Sequence, residues 1–179
     1  MKRYDLMQAV DVRGTFACSQ ACIPHLQRSA KAGRNPHILT LSPPLNLDPG
    51  WFAPHLAYTL SKYGMTMCTL GIAAEFKPHG IGVNSLWPET AIDTSAIRNL
   101  LKEVEESFTA ARKPEIVADA AYWILTQKAD RCSGNFFVDS AVLTAAGETD
   151  LTKYAVDPAV TPLLDYFLGE PGKVKPEHK

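Results

Sequence analysis

Between Arg3 and about Ala30 the apolar positions Leu6, Val10, Phe16 and Ala17 recur near helical spacing, and the run stops before the breaker cluster KAGRNP. This spacing predicts a long first helix. A kink or an early end is expected at Pro24, whose ring cannot continue the hydrogen-bond ladder. The pattern then changes. HILTLS, His37 to Ser42, is short, apolar and β-favouring, which predicts a buried strand, and the proline-rich PPLNLDPGWFAPH behind it reads as a loop. Leu56 to about Lys77 predicts a second long helix, rich in small and sulfur-bearing residues such as Ala57, Gly64, Met65, Cys68 and Ala73. IGVNSLW predicts a second buried strand, stopped by Pro88. A helix is expected from Thr94 to Glu106. An amphipathic one follows over PEIVADAAYWILTQ, where Pro114 takes the first-turn position that tolerates a missing N–H. GNFFVDS reads as a third strand. Periodicity weakens past Asp150, and residues 166–179 are expected to form a disordered tail behind a domain spanning 1–165.

Helices alternating with buried strands predict an α/β fold, a parallel sheet with right-handed crossovers. Composition agrees: 46% hydrophobic and 21% charged residues are those of a globular chain. A net charge of −1 with scattered basic residues argues against nucleic acid as a partner. No apolar run approaches the length of a membrane span, and the charged start MKRYDLMQAVDVRG does not fit a secretion signal. Cys18, Cys22, Cys68 and Cys132 form neither C-x-x-C nor a Cys/His zinc pattern. They are expected as buried or half-buried thiols of a reducing cytoplasm, with no metal.

Candidate chemistry sits in AYTLSK, where Tyr58 and Lys62 fall one helical turn apart. A free phenol, with a pKa of about 10, is a poor base at neutral pH. A neighbouring ammonium stabilises the phenolate and suits it to proton transfer in a carbonyl–alcohol oxidoreduction. With six tyrosines in the chain, the spacing alone is also a common coincidence.

The flanks lift it above coincidence. An apolar strand ending in serine, a loop, and then Y-x-x-x-K opening a long helix resemble the short-chain dehydrogenase/reductase family. GIGVNSLWP, the run ADAAYWILTQKADRCSGNFFVDS and VDVRGTF continue the resemblance in order over about residues 3–165. The resemblance implies the C-terminal part of a Rossmann-like doubly wound sheet and an NAD- or NADP-dependent oxidoreductase acting on a small apolar alcohol or carbonyl. Tyr58 would be the proton donor and acceptor, Lys62 its tuner and a partner of the nicotinamide ribose, and Ser42 the group orienting the substrate carbonyl. Ser42, however, lies farther upstream of Tyr58 than the family's serine, and Pro43 takes the place of a second serine; Ser42 could equally just end the strand. Asp11 falls where the family has an asparagine that holds a water linked to the lysine, or is simply a solvated helix residue. Pro88, Ile92 and Thr94 match the segment that packs on the nicotinamide, although Glu89 replaces the usual glycine. Trp51, Phe52, Trp87, Ile97 and Leu101 are candidate walls of an apolar substrate pocket, or ordinary core.

One part of the family pattern has no counterpart. None of the eleven glycines makes the G-x-G-x-x-G turn that brings a pyrophosphate to a helix N-terminus. Gly80-Ile81-Gly82 comes nearest but precedes a strand. By resemblance, the chain corresponds to the portion after the fourth strand. A first strand left with an open edge, and a homo-oligomer formed through the two long helices, are then expected. The alternative is a catalytically inactive remnant or a dimerising interaction subunit.

Overall fold

The computed structural model describes residues 1–100 and 109–171. Helix α1, Lys2–Gln8, passes through a π-helical turn, Ala9–Arg13, directly into α2, Gly14–Lys31. Pro24 does not end it: α2 runs on for two further turns, and Ile23 beside the proline packs against Ala73, Ile81 and Val83. Strand β1, His37–Leu41, is followed by the loop, then by α3, Leu56–Phe76. Strand β2 is Gly82–Trp87, α4 Ser95–Leu100, α5 Glu115–Thr126, and β3 Phe136–Val138.

The three strands form one parallel sheet in the order β1-β2-β3, with Leu39 opposite Asn84 and Leu86 opposite Phe137. The α/β architecture expected from the alternating pattern is present. All six residues of β2 are buried, as a central parallel strand requires. The polar Asn84 within it is satisfied: its amide donates to the Cys132 carbonyl at 2.8 Å and its oxygen accepts from Asn135 N–H at 3.1 Å. Gly82 admits no side chain, because a Cβ there would lie 2.5 Å from His37 Nδ1 and 2.9 Å from the Cys132 carbonyl. Strand β1 pairs with β2 alone among the described residues, so its other edge is open, and Leu41 is 52% exposed.

Three expectations need correction here. The third strand is shorter than GNFFVDS: it stops at Val138, and Asp139 opens helix α6, Asp139–Ala145, which packs on α5. The Asp139 carboxylate accepts the N–H groups of Glu89 and Ser140, and that turns the chain out of the sheet. Cys18 and Cys22 are exposed on α2 beside the open edge, not buried. The tail boundary also falls inside packed structure, since Tyr166, Phe167 and Leu168 join a cluster with Trp51, Tyr63 and Trp87. Of the Thr94–Glu106 helix, residues 95–100 are helical; Leu101 and the remainder to 106 lie outside the described residues.

Candidate active site

Tyr58 and Lys62 lie in the first two turns of α3, whose N-terminal end is built by the loop before it. Asp48 caps a short 3-10 turn at Pro49–Trp51 by accepting from Gly50 N–H at 2.8 Å. The Thr59 hydroxyl then donates to the Trp51 carbonyl, locking the turn onto the helix. Farther along α3, Tyr63 Oη donates to the Asn46 carbonyl at 2.7 Å and Thr66 Oγ1 to the Pro43 carbonyl at 2.7 Å. The long loop after β1 is thereby laid along the same face as the tyrosine.

That face is aromatic. Trp51 and Trp87 are almost fully buried, and Phe52 meets the Tyr63 ring edge-on at 5.6 Å. The structure brings Trp51, Phe52 and Trp87 together with Tyr58 in one cluster. Ile97, half-exposed on α4, stands outside it. Lys62 Nζ lies 5.5 Å from the centroid of the Trp87 ring and 3.7 Å from Met65 Sδ. The Tyr58 ring is stacked on Phe167 at 5.9 Å with 17° between planes, and Tyr166 crosses it at 6.1 Å. Burial under these rings raises the Tyr58 pKa well above that of a free phenol, and the nearby Asp165, Asp11 and Tyr166 push in the same direction. The pair is together on the helix, but in this arrangement Lys62 is turned to the indole and the thioether.

Ser42 is fully buried just past β1, and its hydroxyl has no hydrogen-bond partner. It was expected either to face a substrate or merely to end the strand. An unpartnered buried hydroxyl costs about 1–3 kcal/mol, which fits a group that meets its partner in a ligand. Asp11 sits in the π-helical turn, a distortion common at functional sites, and accepts from the Ser61 hydroxyl at 2.8 Å. Ser61 also donates to the Tyr58 carbonyl, so Asp11 bears on the backbone of the tyrosine's own turn. The helices approach closely there: a Cβ on Gly64 would meet Val12 Cγ2 at 2.6 Å.

Pro88 is half-buried at the strand end, whereas Ile92 points into the main core with Leu86, Ile116 and Ile124. Thr94 is exposed, and its hydroxyl accepts from Ile97 N–H at the start of α4. The side chains of Ile92 and Thr94 are therefore committed to core and helix start. Glu89, in the glycine's place, accepts from Arg112 at 2.7 Å.

Sequence reasoning missed the strap that covers the site. Residues 163–165 run antiparallel along 89–91: Ala91 N–H donates to the Leu163 carbonyl at 2.8 Å and Asp165 N–H to the Glu89 carbonyl at 2.9 Å. Beyond them Phe167, only 3% exposed, fills the space between Tyr58, Tyr63 and Trp87, and Tyr166 Oη donates to the Trp51 carbonyl at 2.9 Å. The one available signal was LLDYFL, an apolar run between Pro162 and Gly169.

A nicotinamide dinucleotide fits these residues only in part. An unsatisfied Ser42 hydroxyl, a lysine over an indole and a tyrosine could serve the reacting end. No described element supplies a glycine turn before a helix N-terminus for the pyrophosphate, and β1 ends in an open edge where such a unit would continue the sheet.

The family model described as enoyl-(acyl carrier protein) reductase matches residues 1–140. Hydroxysteroid dehydrogenase-like protein 2 of Xenopus laevis is 49% identical over 170 residues, covering 95% of this chain and 39% of its own length. The chain thus spans about two-fifths of the curated relatives it matches. A crystal structure of an inferred dehydrogenase from Xanthomonas campestris superposes with TM-score 0.87 at 53% identity, over 95% of this chain and 60% of that one. A 3-ketoacyl-(acyl-carrier-protein) reductase from Brucella melitensis, complexed with NADH, shares the fold at TM-score 0.62 and 24% identity, over 76% of this chain and 56% of that one.

Proposed function

Because the chain belongs to the short-chain dehydrogenase/reductase family, we propose that it is the proton-transfer portion of an NAD(P)-dependent oxidoreductase acting on an apolar alcohol or carbonyl. The observation carrying this reading is Tyr58 and Lys62 on one turn of α3, set against a wall of aromatic side chains. A nicotinamide, bound mainly by a unit outside this chain, would supply the hydride chemistry. The chain's own residues hold and move the proton. Tyr58 Oη gives it to a carbonyl oxygen or takes it from an alcohol, and Lys62 stabilises the phenolate once its ammonium leaves the indole face. Ser42 offers the substrate oxygen a hydrogen bond, and Asp11 steadies the Tyr58 turn through Ser61. Trp87, Phe52 and Phe167 keep water from the reacting atoms. We place the protein in the cytoplasm as a homo-oligomer. The exposed Leu6, Val10, Phe16, Leu60, Met67 and Leu70 on the long helices support association through those faces.

The test joins this chain to the portion of the Xanthomonas protein that it does not match. The chimera should bind NADH or NADPH and turn over apolar alcohols, and Tyr58→Phe should lower turnover by about 10³-fold with cofactor affinity nearly intact. Unchanged turnover in that variant would remove Tyr58 from the mechanism.

The raised pKa of Tyr58 and the turned-away Lys62 favour a second reading for the chain by itself: a catalytically inactive remnant or a dimerising interaction subunit.

A further inference from the structure

The strap over Tyr58 is anchored by a single ring. Of residues 161–170, Phe167 alone is buried, and Leu163 and Leu164 are about half exposed. Past its backbone bonds to segment 89–91, the strap is latched onto the turn that opens α3. Tyr166 Oη donates to the Trp51 carbonyl at 2.9 Å, and Pro171 lies so close to Gly50 that a Cβ there would meet its Cβ at 2.5 Å. A segment with so few buried groups belongs to the low-stability end of a fold. Its rings nevertheless cover the wall assigned above to a substrate. Phe167 stacks on Tyr58 with 17° between planes, meets Trp87 edge-on at 5.8 Å and leans on Tyr63 at 5.2 Å. Tyr166 takes Trp51 edge-on at 5.5 Å. An apolar body approaching Tyr58 therefore finds the aromatic wall already occupied from within the chain. One ring face to face and others edge-on or tilted is the packing of a flat ring, not of a flexible alkyl chain.

We propose that Phe167 holds the place of a substrate's apolar body, that the strap swings out when the substrate enters, and that this substrate is accordingly a ring-bearing alcohol or carbonyl. Calling the ligand a substrate rests on the proton-transfer reading of Tyr58, but the test reads binding alone. Strap and ligand compete for one slot, so the apparent affinity is the intrinsic affinity scaled by the fraction of chains with the strap open. Loosening a latch without altering a ring at the slot then tightens the ligand by the same factor as it opens the strap. Binding in turn releases the strap. A fixed wall would do neither.

The full chain is titrated with 1-phenylethanol and with 1-octanol, an alkyl alcohol of equal carbon number, following amide resonances and their exchange with deuterated solvent. 1-Phenylethanol should bind saturably and speed exchange of the Asp165 and Leu168 N–H groups, whose partners are the Glu89 and Asp165 carbonyls, while the β2 amides stay protected. 1-Octanol should bind more weakly. Tyr166→Phe keeps the ring and drops the hydroxyl latch. It should speed strap exchange and lower the apparent Kd for 1-phenylethanol by a common factor, about two- to tenfold for one hydrogen bond. Gly50→Ala, which crowds Pro171 at the far end, should move both quantities in the same directions. No saturable binding, binding that leaves or slows strap exchange, an unmoved Kd in a variant whose strap opens, or tighter binding of 1-octanol overturns the proposal. The wild-type exchange measurement decides it even if both variants leave the strap closed. Strap release by 1-phenylethanol together with unchanged turnover in the Tyr58→Phe chimera would keep the ring slot and remove the tyrosine's role; the reverse pattern would do the opposite.

Discussion

Gly64 shows what a single residue contributes to this site. It sits where the π-helical turn crosses α3, with Val12 so close that a methyl group would overlap it. Gly64→Ala should destabilise the protein by about 1–3 kcal/mol through overpacking, read as a lower urea midpoint at unchanged slope. A second residue-scale effect follows from Asp165. Its folded pKa, about 6, lies above the unfolded value of about 3.8. Native Asp165 therefore binds protons more readily than the unfolded chain does. Its stabilising contribution is full below about pH 3.8 and is lost as pH rises through about 6. Thermal melts of wild type and Asp165→Asn should accordingly diverge between pH 4 and pH 7, a window of about this span, with the variant the more stable at the alkaline end. Equal melting differences at both ends would show that Asp165 does not titrate in that window. The tyrosine and lysine were legible because four-residue spacing on a helix survives any tertiary arrangement. The orientation of Lys62 was not, since it depends on an indole at the end of β2, far from the helix in sequence.

Elements were legible in proportion to how locally they are determined. Strand β2 is apolar enough to declare itself central, and Pro114 marks the start of α5. The first two residues of α6, Asp139 and Ser140, were read as strand because FFVD favours β structure up to the residue whose carboxylate turns the chain. The strap escaped notice altogether, since its hydrogen bonds are to Glu89 and Ala91 and leave no local periodicity. Its weight is nevertheless considerable: Phe167→Ala should cost about 3–5 kcal/mol, the range for deleting a buried aromatic ring, seen as a lower chemical-denaturation midpoint. Strand β1 carries a different liability. Among the described residues no strand pairs with its outer edge, and Leu41 is exposed at the end. Leu41→Lys should reduce concentration-dependent association measured by light scattering, because an edge charge opposes strand addition. Association unchanged by the lysine would place the contact elsewhere, with the exposed faces of the long helices the next surface to alter.

At the scale of the whole molecule, the sheet and its helices match a family whose members extend well beyond this chain. The residues proposed to transfer the proton and the aromatic wall are here, whereas a glycine cradle for the pyrophosphate is not among the described residues. Titration of the isolated chain with NADH or NADPH, followed by nicotinamide fluorescence, should show no saturable binding up to millimolar concentration, where about 4 kcal/mol of binding energy would already register. Micromolar saturation would instead mean that this chain binds a nucleotide without a glycine turn.

The strap has a consequence in time as well as in space. Synthesis proceeds from the N-terminus at about 5–20 residues per second, so Tyr58 and Trp87 emerge well before the residues that seal them. Until Phe167 arrives, the nascent sheet offers an uncapped aromatic surface. The seal is the last part of the described core to be made.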